Sequence, residues 1–315
     1  MFNKRSATHP LGVPLGELAA ALEPTSIRAR LEGNTLVARH EHFTVRVEVV
    51  PPENRESDNG PIRAVVRVRS DLPGPFQDLL QRDMALGSAV FNKYAALAAL
   101  HTEGGRVEIG SRLTIFERDS AWETLHLPLL LMAIVAATEA LLGGIRRTFT
   151  EEEPREEKSR WTDANLAQVE RYLSRMSVCT TGGLGLTAEF GLAQGQISAA
   201  AGHRQTALFR LLADQPHPEM GGGLVCLLEM PHDLGSEERV ATVCQQLNTM
   251  EMAAHDLPPH FGAWCPGGRE TNPAYVSFLP NGLHGVPGIA VNFSIWALHR
   301  AQWAHAMLAS MGARV

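Results

Sequence analysis

Three side chains able to bind a metal or act as a nucleophile fall within the stretch HDLPPHFGAWCPGG, from His255 to Gly268. His255, His260 and Cys265 follow one another at intervals of five residues. In an extended strand, side chains an odd number of residues apart point to opposite faces. His260 and Cys265 therefore do not readily share one ion on a regular strand, and the usual zinc spacings CxxC and HxxxH are missing. We predict no metal site and no cofactor for this chain.

Cys265 also lacks the sequence setting of a catalytic thiol. A nucleophilic cysteine needs a nearby base and a lowered pKa. Phe261, Ala263 and Cys265 fall on one face of the predicted strand, and Pro-Gly-Gly follows as a turn. Cys226 and Cys244 lie in apolar runs of their own. We predict that these cysteines are core residues in a reducing compartment.

The glycine-rich stretches lack the features of phosphate-binding loops. TTGGLGLTAEFGLAQG has no following lysine, and MGGGL leads into a predicted strand instead of a helix. Both are typical of hairpin turns, where glycine supplies positive φ. Neither a GxSxG elbow nor an HExxH motif occurs in the sequence. We therefore predict no catalytic residue.

A strand of alternating arginines is the clearest candidate for a docking surface. Arg63, Arg67 and Arg69 have the same parity in PIRAVVRVRS, which places them on one face of the predicted sheet. The first interpretation is a solvent-facing side that protects the sheet from edge pairing. The second is a strip that docks an acidic peptide or a nucleic-acid backbone. The sequence favours the first, and direct single-stranded nucleic-acid binding, with Phe91 or Tyr94 nearby, is the weaker alternative.

An enzyme using a cleft between two halves of the chain is the other alternative. It would need convergent polar groups across the joint, and His255, His260 and Arg300 are the candidates. The aromatic stripe of Phe293, Trp296 and Trp303 predicts helix packing on a sheet, not a ligand box.

The elements that would position these residues repeat. FTEEEPREEKSR, residues 149–160, has a charge run typical of a linker and divides the chain near its middle. We predict one unit over residues 1–148 and a second over 161–315. Each has the order helix, several strands, helix, two strands, helix, and Asn92 and Asn248 fall at matching places in matching helices. The predicted fold class is α+β, with each unit an antiparallel sheet packed against helices.

Composition bounds the classes of function. The chain has 315 residues, 44% of them hydrophobic and 20% charged, which is typical of a soluble globular protein. A net charge of −6 disfavours free nucleic acid as the main ligand and suits a basic protein partner. The run from Leu125 to Ile145 contains Pro128 and Glu139, so a buried core helix is the better interpretation than a membrane span. The N-terminus has no apolar signal region, and we predict a cytoplasmic protein without membrane association.

The pattern of elements resembles the YbjN family, which in turn is similar to class I chaperones of type III secretion. The segments that carry the resemblance are VCQQLNTME, PPHFGAWC, AYVSFLPN and PGIAVNFSIWALHRA, and in the first half VFNKYAALAAL, RLTIFER and LLLMAIVAATEAL. The resemblance implies a convex antiparallel sheet backed by helices, no catalytic residues, and a role in holding other proteins. Relatives carry one unit per chain and commonly pair, so two fused copies imply either a monomer that is an internal pseudo-dimer or a homodimer.

Together these observations predict a non-enzymatic, chaperone-like or adaptor protein. Its expected partner is another protein, and a basic one such as a nucleic-acid-binding protein fits the net charge. Binding would use apolar burial and strand addition.

Overall fold

The chain is described here from a computed structural model. It covers residues 9–312 except 26, 41–43, 54–55, 58–59, 73, 84–86, 88–90, 93–95, 150–156, 193–204 and 269–270, and for residues 75, 76, 79, 81 and 140–149 it gives the backbone alone. Tyr94 and the predicted strand GQISAAAG therefore lie outside the described residues.

The first unit starts with a short helix and ends with a long one. Its elements are α1 (Leu15–Leu22), β1 (Arg28–Glu32), β2 (Thr35–Arg39), β3 (Thr44–Val50), β4 (Ile62–Asp71), α2 (Gly74–Arg82), β5 (Ala99–Glu103), β6 (Arg106–Phe116) and α3 (Leu127–Phe149), the last preceded by a π-helical turn (Trp122–His126). Along β3 the buried residues Val45 and Val47 alternate with half-buried ones, as its apolar and polar alternation predicts.

The second unit repeats this order. Its elements are α4 (Asp163–Leu173), β7 (Val178–Gly182), β8 (Gly185–Gly191), β9 (Thr206–Leu212), β10 (Gly223–Glu229), α5 (Glu237–Ala253), β11 (Ala263–Pro266), β12 (Pro273–Pro280), a 3₁₀ turn (Asn281–Leu283) and α6 (Ile289–Ser310). The predicted helix starts are confirmed: the Ser236 side chain accepts a hydrogen bond from the Arg239 N–H at the start of α5. At the start of α4, the Thr162 N–H donates to the Asn165 side-chain oxygen. Strand β7 was not predicted.

Both units form a six-stranded antiparallel sheet of the same topology. The strand orders are β1-β2-β3-β4-β6-β5 and β7-β8-β9-β10-β12-β11. In the first unit α3 packs on β3, β4 and β6, and in the second α6 packs on β9 and β10. The predicted α+β class with two similar units is confirmed.

The hairpin β5–β6 corrects one detail of the prediction. The segment from Phe76 to Leu100 was expected to be helical, with GRVEIG and RLTIFER as two strands. Instead Ala99–Glu103 is strand β5, and both predicted strands belong to the single long strand β6. The turn lies at Gly104 and Gly105, whose φ values of 57° and 78° are a conformation that favours glycine.

Matching hydrogen bonds show how closely the two hairpins correspond. Leu100 faces Ile109 in the first, and Trp264 faces Tyr275 in the second. In the same register, the Ser111 hydroxyl donates to the Leu97 carbonyl and the Ser277 hydroxyl to the Phe261 carbonyl. The two hairpins are therefore equivalent residue by residue.

Two asparagines also occupy matching places. Asn92 accepts a hydrogen bond from the Leu100 N–H over 8 residues, and Asn248 accepts one from the Trp264 N–H over 16 residues. The second unit is thus longer between helix and hairpin, and its extra length contains the segment HDLPPH.

The two units pack directly on each other. Arg112 and His260 exchange backbone hydrogen bonds, with N···O distances of 3.2 Å and 2.7 Å. At the equivalent position the Phe278 N–H donates to the Ala96 carbonyl at 3.2 Å. Helix α5 of the second unit lies on β5 of the first. The contact therefore has the reciprocity of a two-fold dimer within one chain.

The described end of the predicted linker contacts the second unit. The Asn281 amide donates to the Lys158 carbonyl at 2.9 Å, and the Ser159 hydroxyl donates to the Gly223 carbonyl at 2.6 Å. The boundaries at residues 149 and 160 stay predictions, since residues 150–156 lie outside the described part. Within that part, no helix is long and apolar enough to cross a membrane.

Candidate functional site

A buried polar cluster between the units contains two of the residues singled out from the sequence. The side chain of Arg112 on β6 packs against the segment that follows α5 and is fully buried. Its guanidinium donates to the carbonyl oxygens of Glu251, Leu257 and Pro258 at 3.0, 3.3 and 2.7 Å. It also donates to the Thr114 hydroxyl at 2.6 Å. The first unit thus supplies a cation, and the second supplies the carbonyl groups that receive it.

Glu251 is the anion at the centre of this cluster. One carboxylate oxygen accepts from Arg300 Nε at 2.6 Å, and the other accepts from Trp264 Nε1 at 2.9 Å. His260 Nδ1 lies 3.3 Å from the second oxygen. The Arg300 guanidinium also stacks 3.9 Å from the centre of the Tyr275 ring.

Glu251 and the two arginines of the cluster keep their charges at neutral pH. Burial alone would raise the pKa of the Glu251 carboxyl, but Arg300 and His260 bring it down to about 2. Burial lowers the pKa of Arg112 to about 10, against the opposing attraction of Glu251. Burial also lowers the pKa of His260, although Glu251 counteracts this. An acid that is already ionised is a poor proton donor near neutral pH.

Burial also argues against catalysis in this cluster. His260 is 0% exposed, Glu251 1% and Arg300 3%, so a substrate does not reach them in this structure. Breaking a buried ion pair is strongly destabilising. The arrangement is that of a contact that joins two folded units.

His255 lies apart from Glu251, at the edge of the contact. Its Nδ1 accepts from the Glu53 N–H at 3.1 Å, and its Nε2 lies 3.4 Å from an Arg67 nitrogen. A cleft of about 250 Å³ adjoins it, lined in part by Glu53, Glu56 and Asp256. The structure therefore brings His260 and Arg300 together around Glu251 and places His255 with Arg67.

Three of the four cysteines have the setting of core residues. Cys226, Cys244 and Cys265 are at most 4% exposed, and none of the four cysteines forms a disulfide. Burial raises the pKa of the Cys226 and Cys244 thiols. A raised pKa disfavours the thiolate that nucleophilic chemistry needs.

The three arginines of β4 do not share one face as expected. The pairing of β4 with β6 shifts between Ile62 and Ala64, as at a bulge, and the Arg63 guanidinium lies beside Gly12 before α1. Arg69 pairs with Glu48, Glu103 and Glu108. A bulge breaks the strict alternation on which the expectation rested. Whether these arginines dock a partner stays a prediction.

Arg67 completes this charged face of the first sheet. It pairs with Glu103 at 3.4 Å, and its side chain is 16% exposed. The glutamates offset the charge that a nucleic-acid backbone would require.

A second surface is exposed at the far edge of the second sheet. Strand β7, with the sequence VCTTG, pairs with β8 on one side and is the last strand of its sheet in the described part of the chain. Val178 is 70% exposed, and Tyr172 and Met176 of the preceding helix and turn are 43% and 48% exposed. Large exposed apolar side chains beside a free strand edge are typical of a protein-binding surface.

Sequence reasoning missed Arg112, Glu251 and the acidic partners of Arg69. One signal could have found Glu251. It lies three residues after Asn248 in α5, on the same face of the helix, so helical spacing predicts that this acid is buried as Asn248 is. The residue that neutralises it, Arg300, lies 49 residues further along the chain on another helix, and no local pattern encodes that contact.

No protein-family model, curated protein or solved structure matches this chain. The resemblance to the YbjN family and to type III secretion chaperones therefore stays a prediction.

Proposed function

We propose that this protein is a non-enzymatic binding module that accepts an extended segment of another protein at the edge of β7. The observation that carries the proposal is the character of that edge: an uncharged strand with Val178 70% exposed. An added strand would pair with the outward backbone groups of β7, and its side chains would cover the exposed apolar residues.

The sheet topology supports this location. The inner ends of the two sheets, β5 and β11, lie at the contact between the units. Strands β1 and β7 are the opposite ends. The internal contact therefore uses one edge of each sheet and leaves the other for a partner.

The equivalent edge in the first unit is protected. Counting from the β1–β2 and β7–β8 turns, Arg28 corresponds to Val178 and Arg30 to Thr180. Arg30 pairs with Glu32 on the same strand. Charged side chains on an edge oppose pairing with another strand, so β1 is the poorer acceptor.

The charge around β7 indicates the chemistry of the partner. A groove beside the strand is lined by Met176, Val178, Leu192 and Leu298, with Glu189 as the acidic residue at its wall. The chain as a whole has a net charge of −6. An apolar segment flanked by basic residues fits this surface best.

The rival functions have less support. The candidates for an active site between the halves are buried: Arg300 is in an ion pair with Glu251, and His260 lies 3.3 Å from the same carboxylate. The candidates for a nucleic-acid surface, Arg67 and Arg69, face glutamates. We further propose that binding takes place in the cytoplasm, in keeping with four cysteines that form no disulfide.

Site-specific crosslinking tests the proposal. A photoreactive amino acid replaces Val178 in one variant and its counterpart Arg28 in a matched control, and adducts are mapped by mass spectrometry. We expect position 178 to crosslink to one contiguous segment of another protein, and position 28 to give no such adduct. Equal labelling at both positions, or adducts to a second copy of this chain alone, would contradict the proposal.

The affinity of this protein for a synthetic peptide of the crosslinked segment is then measured. Val178→Lys combined with Thr180→Lys should weaken its binding by at least about tenfold, or about 1.4 kcal/mol, because lysine on an edge opposes strand addition. Unchanged circular dichroism spectra of the variant would establish that the fold is retained. Unchanged affinity in a folded variant would rule out β7 as the binding edge.

A further inference from the structure

The outer face of the β5–β6 hairpin brings together three metal-capable side chains. The ligand atoms of His101, Glu103 and Glu108 all lie within 4.8 Å of one another. His101 and Glu103 are two residues apart on β5, and Glu108 faces His101 across the hairpin. The turn at Gly104 and Gly105 makes this pairing possible.

His101 lacks the partner that a buried imidazole normally has. It is 2% exposed, and neither ring nitrogen has a hydrogen-bond partner at normal geometry, although the Ala99 backbone is close enough to affect its pKa. Nε2 faces the Glu108 carboxylate at 3.8 Å. Buried polar atoms are nearly always satisfied, so an unpaired one facing a carboxylate indicates a missing ligand.

The surroundings hold the imidazole in place. A Cβ at Gly110 would come within 2.7 Å of His101 Cε1, so glycine is what allows the ring to lie over β6.

We propose that His101, Glu103 and Glu108 form a binding site for a transition-metal dication such as Zn²⁺. One imidazole and two carboxylates are ligands that zinc accepts, and three protein ligands leave a coordination position open. In the metal-free state the Arg69 guanidinium holds both carboxylates. Metal binding releases Arg69 from them and leaves it paired with Glu48. Arg69 is thus a built-in competitor of the metal.

Calorimetric titration of untagged, chelator-treated protein with Zn²⁺ tests the site. We expect one equivalent to bind with saturation, and His101→Phe or Glu103→Gln to weaken it by at least about tenfold. Phenylalanine keeps the ring over Gly110, and Glu103 is 44% exposed, so both variants should fold. Arg69→Gln should tighten binding, because it removes the competitor while a merely structural cluster would show no such gain. Co²⁺ absorption then reports on the ligand set.

Two control variants separate this site from other sources of binding. Glu229→Gln removes a carboxylate of the second sheet that pairs with Arg210, outside the ligand set, and should not weaken Zn²⁺ binding. His305→Gln removes one member of the close pair formed by His305 Nδ1 and His232 Nε2, 3.0 Å apart, and should leave the single equivalent intact. The proposal is overturned if wild-type protein shows no saturable binding, if both ligand variants bind like wild type, or if His305→Gln abolishes the signal.

Discussion

The two units share a backbone and differ in what they place on it. At matching positions of the two hairpins stand Arg112 and Phe278, and both bond the backbone of the other unit. His101 corresponds to Cys265 and Glu108 to Ala274. Hydrogen bonds within the scaffold are repeated, whereas side chains at its surfaces have diverged. The first unit contributes the charged Arg112 to the contact, and the second contributes the carbonyl groups that bind it. The outer edge strand of the second unit, β7, has no charged residue.

The largest expected effect comes from the charge at the contact. Glu251→Gln leaves the buried Arg300 without its carboxylate and should lower the free energy of unfolding by about 3–5 kcal/mol. The matched control is Glu229→Gln, whose partner Arg210 is 39% exposed, with an expected loss below about 1 kcal/mol. Urea unfolding followed by circular dichroism measures both. Equal losses would mean that burial does not make the Glu251–Arg300 pair more stabilising than the half-exposed pair.

Acid should weaken the second unit through His232. Its side chain is buried, and burial, with His305 nearby, lowers its pKa to about 4. In the unfolded state the histidine has a pKa of about 6.5, so it is protonated there first as the pH falls. The free energy of unfolding therefore decreases below about pH 6.5 and stops decreasing near the pKa of the folded state. The slope reaches about 1.4 kcal/mol per pH unit for one histidine.

His232→Asn tests that origin. The variant should show a shallower decline than wild type between about pH 6.5 and 4.5. Glu251 does not interfere there, because its lowered pKa makes its contribution fall only below about pH 4.3. Chelator in every sample removes any bound metal. Parallel profiles for variant and wild type would exclude His232 as the source.

The equivalence of the hairpins predicts equal costs at two serines. Ser111→Ala and Ser277→Ala each remove a hydroxyl that donates to the matching carbonyl, of Leu97 and Phe261. Each should cost about 1 kcal/mol in urea unfolding. A large cost at one serine and none at the other would show that the two hairpins are not energetically equivalent.

The smallest stability change is expected where the edges are exchanged. Arg28→Val with Arg30→Thr gives β1 the residues of β7 at two exposed positions, and stability should change by less than about 1 kcal/mol. The variant should gain the capacity to pair with another strand. This would be seen as self-association in sedimentation velocity, or as binding of the partner peptide identified by crosslinking at β7. If the variant stays monomeric and does not bind the peptide, edge charge is not what distinguishes β1 from β7.

Local patterns predicted much of the fold. The alternation in FTVRVEVV and PIRAVVRVRS predicted β3 and β4, and Ser236 and Thr162 marked helix starts, because these signals act over a few residues. They failed at β5, where Ala-rich sequence favours a helix and pairing with β6 imposed a strand. They also failed at Arg63, since a bulge depends on the partner strand.

The sequence by itself determined the α+β class, the repeated order of elements and the matching asparagines, because hydrophobic period, caps and turns are encoded locally. Only the tertiary structure decided that Arg112 meets Glu251 across the units, that His101 lies close to Glu103 and Glu108, and that β7 is the last strand of its sheet in the described part of the chain. These contacts join residues distant in the chain, and their energies depend on burial and pairing that no short pattern specifies.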